Sequence, residues 1–215
     1  MPNENSGLKA GLDFAYRISR PEKGTGDVAI LLHGSGVDET TLLPFGRSAA
    51  PRATLIAPRG RVPQEGGWRW FERVTPTRFD QASIRAETAR FAAFVESLAA
   101  KEGFEPERAL FLGYSNGANL VSSLMLLSPG LVRRAALLRA MPVLDDVPAT
   151  DLAGTEALVL AGANDATYGP YAPALVAQLG GHGAHVEAHT VPLGHEFGPA
   201  DEILIRQWLA EAPSV

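Results

Sequence analysis

The chain contains no cysteine. That excludes a disulfide framework, a thiolate metal site and a thiol nucleophile, and a cysteine-free chain suits the cytoplasm. Basic charge is also in short supply: 19 Lys and Arg stand against 24 Asp and Glu, a formal net charge of −5. With no basic stripe along the chain, nucleic acid is not expected as a partner. No uninterrupted apolar run reaches the length of a membrane span, so no membrane association is expected. The first six residues carry neither the basic leader nor the apolar core of a signal peptide. Repeats, linkers and low-complexity segments are missing too. The 215 residues are therefore read as one domain spanning 1–215, with residues 1–11 as a flexible N-terminal extension. That length buries one core and is short for two.

What is present is an alternation of strand and helix signals. Continuous apolar runs of strand length stand at 28–32, 53–57, 108–112, 135–138 and 157–162. Such runs fit strands buried on both faces. Weaker alternation marks 12–18 and 185–191. Helical character falls at 38–46, 79–102, 118–127, 171–179 and 203–209. In the long segment 79–102, Ile84, Phe91, Phe94, Val95 and Leu98 recur at helical spacing and read as core. Strands alternating with helices imply an α/β fold: a mainly parallel sheet with helices on both faces. Residues 61–77 read as irregular. Trp68, Trp70 and Phe71 cluster there, and Trp70 and Phe71, with Leu42, are the expected substrate contacts.

One stretch organises the rest. Gly113-Tyr114-Ser115-Asn116-Gly117 follows a buried strand and opens a helix. Strand, tight turn with serine at the apex, then helix is the geometry of a nucleophile elbow. A bare Gly-x-Ser-x-Gly is weak without that context. The backbone N–H of Asn116, at the start of the helix, can face a developing oxyanion. A second donor is expected at Ser35, because His33-Gly34-Ser35-Gly36 follows the strand 28–32 in the pattern of an oxyanion loop. His33 reads as a structural histidine that holds this loop.

In a parallel sheet the strand C-termini share one edge, where ligands bind. Ser115, Asp165 and His195 each follow a strand, in the chain order serine, acid, histidine. Ser115 is the expected nucleophile, His195 the base and Asp165 its orienting acid. The rivals Asp145, Asp146, Asp151 and Asp201 do not follow a buried strand. His182, His185 and His189 lie before or along a strand, and their spacing matches no standard zinc motif. They read as a solvated strand face, and no metal or cofactor is expected.

These motifs, together with Pro58-Arg59-Gly60, Trp70-Phe71-Glu72-Arg73, Ala161-Gly162-Ala163-Asn164-Asp165 and Gly194-His195-Glu196, resemble the phospholipase/carboxylesterase family of α/β-hydrolases. That family includes acyl-protein thioesterase-like members, and the likeness is strongest to the bacterial MhqD-like hydrolases. The resemblance implies a compact α/β-hydrolase fold without a cap domain, and a cofactor-free serine carboxylesterase acting on small-molecule esters, often as a homodimer. It places nucleophile, acid and base on Ser115, Asp165 and His195. Acyl thioesters, and a dormant ligand-binding protein on the same fold, are the alternative readings. The chain departs from the family at Val37, where a second glycine is common, at Ala166, where a proline is common, and at Trp70-Phe71, where paired phenylalanines are usual.

Overall fold

The computed structural model describes residues 7–64 and 66–211. Seven strands form one sheet: β1 (Tyr16–Ser19), β2 (Val28–Leu32), β3 (Thr54–Pro58), β8 (Leu110–Tyr114), β9 (Arg134–Leu138), β10 (Glu156–Gly162) and β11 (His185–Val191). Their spatial order is β1-β3-β2-β8-β9-β10-β11. β1 pairs antiparallel with β3, and every other neighbouring pair is parallel. The numbers between β3 and β8 belong to two short hairpins, β4 (Val62–Gln64) with β5 (Gly67–Arg69) and β6 (Arg73–Thr75) with β7 (Arg78–Phe79). The helices are α1 (Leu43–Ala49), α2 (Gln81–Glu102), α3 (Asn116–Leu127), α4 (Ala172–Gly181) and α5 (Pro199–Glu211).

The continuous apolar runs have a direct cause. Successive side chains of a strand point to opposite faces, and here both faces are covered. Ile30, Leu32, Phe111, Ala135, Leu137, Ala157 and Val159 join the core that holds α2, α3 and α4. The alternate residues Ala29, Leu31, Leu110, Leu112, Ala136, Leu138, Leu158 and Leu160 join the core under α1 and α5. Each central strand must therefore be apolar throughout.

Boundaries differ from expectation where caps act. α2 starts at Gln81 rather than at residue 79, because the Asp80 side chain accepts the Ser83 N–H at 2.7 Å and closes the first turn. It stops at Gly103 in the left-handed conformation, φ 77°. α1 begins at Leu43, not at residue 38: Asp38 accepts the Thr40 N–H instead and makes a local turn. The first strand begins at Tyr16, not at residue 12. Of the expected extension 1–11, residues 1–6 lie outside the described residues. Lys9 exchanges two backbone hydrogen bonds with Tyr16 and pairs with Glu102, which ties it to the edge of the sheet.

The described residues form no cap domain over the strand ends. Among them no helix is long and apolar enough to cross a membrane.

Candidate active site

Ser115 sits between β8 and α3 at φ 52°, ψ −117°. Non-glycine residues avoid this region, at a cost of about 1–3 kcal/mol. The turn holds because its flanks cannot carry side chains. A Cβ on Gly113 would stand 2.6 Å from the Ala118 backbone, and one on Gly117 would stand 2.1 Å from the Leu32 carbonyl oxygen. Strand and helix thus meet backbone to backbone. The Ser115 N–H donates to Leu138 O at 2.8 Å, and Ser115 O accepts the Asn119 N–H at 2.9 Å, which fixes the apex from both sides.

The three residues expected at one edge of the sheet come together. His195 Nε2 lies 2.9 Å from Ser115 Oγ, and His195 Nδ1 lies 2.7 Å from Asp165 Oδ2. The other Asp165 oxygen accepts the N–H groups of Thr167 and Tyr168, both at 3.0 Å. Burial alone would raise the Asp165 pKa. The Tyr168 N–H, the His195 imidazole and the Thr167 N–H outweigh it and hold the carboxyl below its ordinary value. The acid and histidine loops are stitched together by Asn164 N–H to Leu193 O at 2.9 Å. The rings of Tyr168 and Tyr114 pack against His195 at 5.0 and 5.6 Å. Burial pushes the Tyr114 phenol up to about 12, so this neighbour stays uncharged.

The loop from His33 to Glu39 lies against Ser115: a Cβ on Gly34 would stand 3.7 Å from Ser115 Cβ. Ser35 is the next residue of that loop. As the first residue of α3, Asn116 has an N–H with no partner inside the helix. His33 holds the loop as expected. Its Nδ1–H donates to Gly34 O at 2.7 Å and its Nε2 accepts the Gly60 N–H at 3.0 Å, which makes it the neutral Nδ1–H tautomer. Burial pushes its pKa down to about 4. Further along the loop, buried Glu39 accepts from Arg17 at 2.7 Å and from Arg59 at 2.6 Å, anchoring it to β1 and β3.

The expected substrate contacts are corrected. Trp70 and Phe71 have 0% exposure and Leu42 has 1%. A side chain with no accessible surface cannot touch a ligand unless the core opens. Trp70 instead braces the site. Its indole N–H donates to His33 O at 2.8 Å and its backbone N–H to Asn116 Oδ1 at 2.8 Å, linking the two sides that flank Ser115. The partly exposed aromatic of the segment is Trp68. With Val37 and Thr41 it lines a groove of about 330 Å³ beside the His33–Glu39 loop. A wider groove, about 780 Å³, lies behind Asp165 between α4 and the β10–β11 edge, and neither Ser115 nor His195 lines it. The smaller groove reaches the His33–Glu39 loop at Gly36, Val37 and Asp38, and neither Ser115 nor His195 lines it either.

Of the rival residues, Asp151, His182 and His189 are engaged elsewhere, and Asp201 pairs with Arg139 rather than with His195. Asp151 accepts the Ala153 N–H, His182 contacts Thr150 O and His189 contacts Glu187. Among the described residues no group of three His, Asp or Glu side chains converges to hold a metal. Arg139 had no place in the sequence expectations, yet it bonds to the peptide carbonyls of Gly194 and Glu196 on either side of His195. A signal was available: it directly follows the apolar run 135–138, the same strand-end position that marks Asp165 and His195.

A mainly parallel sheet covered on both faces, with serine, histidine and aspartate hydrogen-bonded at its carboxyl edge, defines a hydrolase of the α/β-hydrolase fold. Residues 15–150 match the Phospholipase/Carboxylesterase family, and the chain belongs to that family. The match covers Ser35, Ser115 and Asn116 and ends before Asp165 and His195. The chain is similar to the MhqD protein of Bacillus subtilis (strain 168), named as a hydrolase, with 32% identity over 193 residues, 89% of this chain and 96% of that one. It is also similar to a crystal structure of a carboxylesterase from Mesorhizobium loti, at 61% identity and a TM-score of 0.94, covering 97% of this chain and all of that one. A Bacillus cereus carboxylesterase structure superposes with a TM-score of 0.87 at 26% identity, covering 93% of this chain and 94% of that one.

Proposed function

We propose that this hydrolase is a serine carboxylesterase that cleaves small carboxylic esters through an acyl-enzyme on Ser115. The observation that carries the reading is the continuous hydrogen-bonded relay from Ser115 through His195 to Asp165. A serine hydroxyl is a poor nucleophile at neutral pH until a base takes its proton. His195 Nε2 accepts that proton as Oγ attacks the ester carbonyl carbon. Asp165 fixes the Nδ1–H tautomer and stabilises the imidazolium. The carbonyl oxygen, now an alkoxide, is met by the N–H groups of Ser35 and Asn116. Collapse expels the alcohol, which leaves with the proton from His195. Water then repeats the cycle on the acyl-enzyme, releasing the acid. The cycle consumes only water and needs no cofactor.

The carboxylesterase names of the Mesorhizobium loti and Bacillus cereus relatives support the ester-hydrolase reading.

The test is a p-nitrophenyl ester chain-length series on the full chain, with fluorophosphonate labelling read by intact mass. Labelling at Ser115 and turnover of the shorter esters are expected. Ser115→Ala should lower turnover about a millionfold, as removing a triad nucleophile does elsewhere. Near-normal activity in that variant would sink the assignment. Labelling with turnover of acyl thioesters alone would make the protein a thioesterase. Neither labelling nor turnover would leave a ligand-binding protein on this fold.

A further inference from the structure

Arg139 is a buried cation beside the site that the reaction just described does not use. It is 1% exposed, and its partner Asp201 is fully buried. All five guanidinium N–H donors are engaged. Nε–H donates to Gly194 O at 2.9 Å. Nη1 donates to Leu160 O at 3.1 Å and Asp201 Oδ1 at 2.9 Å. Nη2 donates to Glu196 O at 2.8 Å and Asp201 Oδ2 at 3.0 Å. Two of these acceptors are the peptide carbonyls immediately before and after His195. Asp201 Oδ2 also accepts the Gly198 N–H at 2.9 Å, so the same ion pair grips the loop a second time where it enters α5.

The backbone confirms that the position is built for this geometry. Among the described non-glycine residues only Ser115 and Arg139 have positive φ, both 52°. An arginine in the left-handed region is strained, and a buried ion pair has a desolvation penalty that a pair of apolar residues would avoid. A fork-shaped cation is the one side chain that can satisfy two flanking carbonyls and a carboxylate together.

We infer that Arg139, locked by Asp201, is a positioning residue for His195, setting the backbone on both sides of the imidazole so that Nε2 stays in register with Ser115 Oγ. The inference rests on the serine-hydrolase reading above. The ring itself needs this support: the His195 side chain is 38% exposed, and its position is set by Asp165, two tyrosine rings and its own backbone. A displacement of about 1 Å between reacting groups can cost a hundredfold in rate.

The experiment compares the full-length wild type with Arg139→Lys and Asp201→Asn. Fluorophosphonate titration counts functional serines, so kcat is expressed per labelled site. Lysine keeps the charge but has three donors on one nitrogen and cannot span both carbonyls and the carboxylate. The expected result for Arg139→Lys is a kcat per site lowered about 10- to 100-fold, with KM within about twofold of wild type. A purely structural cross-link behaves differently: Tm and the number of labelled sites fall while kcat per site stays at the wild-type value, and that result overturns the inference. If Arg139→Lys is recovered unfolded, the isosteric Asp201→Asn decides by the same criterion. Failure of the underlying reading looks different again, as absence of label at Ser115 in the wild type or turnover that survives Ser115→Ala.

Discussion

Three demands meet on the indole of Trp70. It fills the core between Phe14 and Phe91, with ring centroids at 6.2 and 5.4 Å. It lies 4.9 Å from the His33 ring, and its N–H satisfies the His33 carbonyl. Trp70→Ala is therefore expected to destabilise the fold by about 3–5 kcal/mol, the usual cost of emptying a large aromatic site, seen as a lower urea midpoint. Trp70→Phe separates packing from hydrogen bonding. It should keep more of the stability yet leave the buried His33 carbonyl without its donor, lowering kcat/KM through a looser loop. Wild-type stability and kcat/KM in Trp70→Phe would remove the hydrogen bond from the account. Nothing local in Arg69-Trp70-Phe71 distinguishes an aromatic that faces the core from one that faces a pocket. That depends on Phe14, Phe91 and Asn116, which are distant in the chain.

The β4–β5 hairpin was legible only as an irregular aromatic stretch, because two three-residue strands are too short to show a period. Its register is set from outside. The Gly36 N–H donates to Trp68 O and the Trp68 N–H to Val37 O, each at 3.1 Å, so the hairpin is laid directly on the loop that carries Ser35. The contact is backbone to backbone: a Cβ on Gly67 would stand 2.3 Å from the Gly36 carbonyl. Arg69 adds a side-chain hydrogen bond to the Ser35 hydroxyl at 2.5 Å. Gly67→Ala should push hairpin and loop apart while the seven-stranded sheet persists. The expected outcome is a folded protein by circular dichroism with kcat reduced by up to about the hundredfold cost of losing one oxyanion donor. Wild-type kcat in a folded variant would show that the hairpin does not shape the loop.

For the molecule as a whole, His33 couples the loop to pH. Its folded pKa is about 4, against 6.5 for an unperturbed histidine. Below 6.5 the unfolded chain gains a proton that the folded chain refuses, so stability falls as the pH drops towards 4. A shift of that size corresponds to about 3 kcal/mol. Glu39 acts in the next window. Burial would raise its carboxyl, but Arg59 and Arg17 hold it below the ordinary value. Its contribution is present above its unfolded pKa and is lost as pH falls through the folded one. Urea unfolding at about pH 7, 5.5 and 4.5 should show a progressive loss, and His33→Gln should flatten the upper part of that slope. An unchanged slope in the variant would mean that His33 is not the group refusing the proton.

The chain by itself determined the sheet, its helical cover, the elbow and the strand-end positions of Ser115, Asp165 and His195. Those features rest on short-range pattern: apolar runs long enough to be buried on both faces, glycines where two backbones must touch, and polar residues directly after strands. The tertiary structure decided which aromatic residues are core, how the hairpins lie, and that Arg139 reaches both sides of His195. These depend on where a side chain points from an aperiodic segment. That direction is set by packing and hydrogen-bond satisfaction against residues far away in the chain, as when Arg139 meets Asp201 or Trp70 meets Asn116.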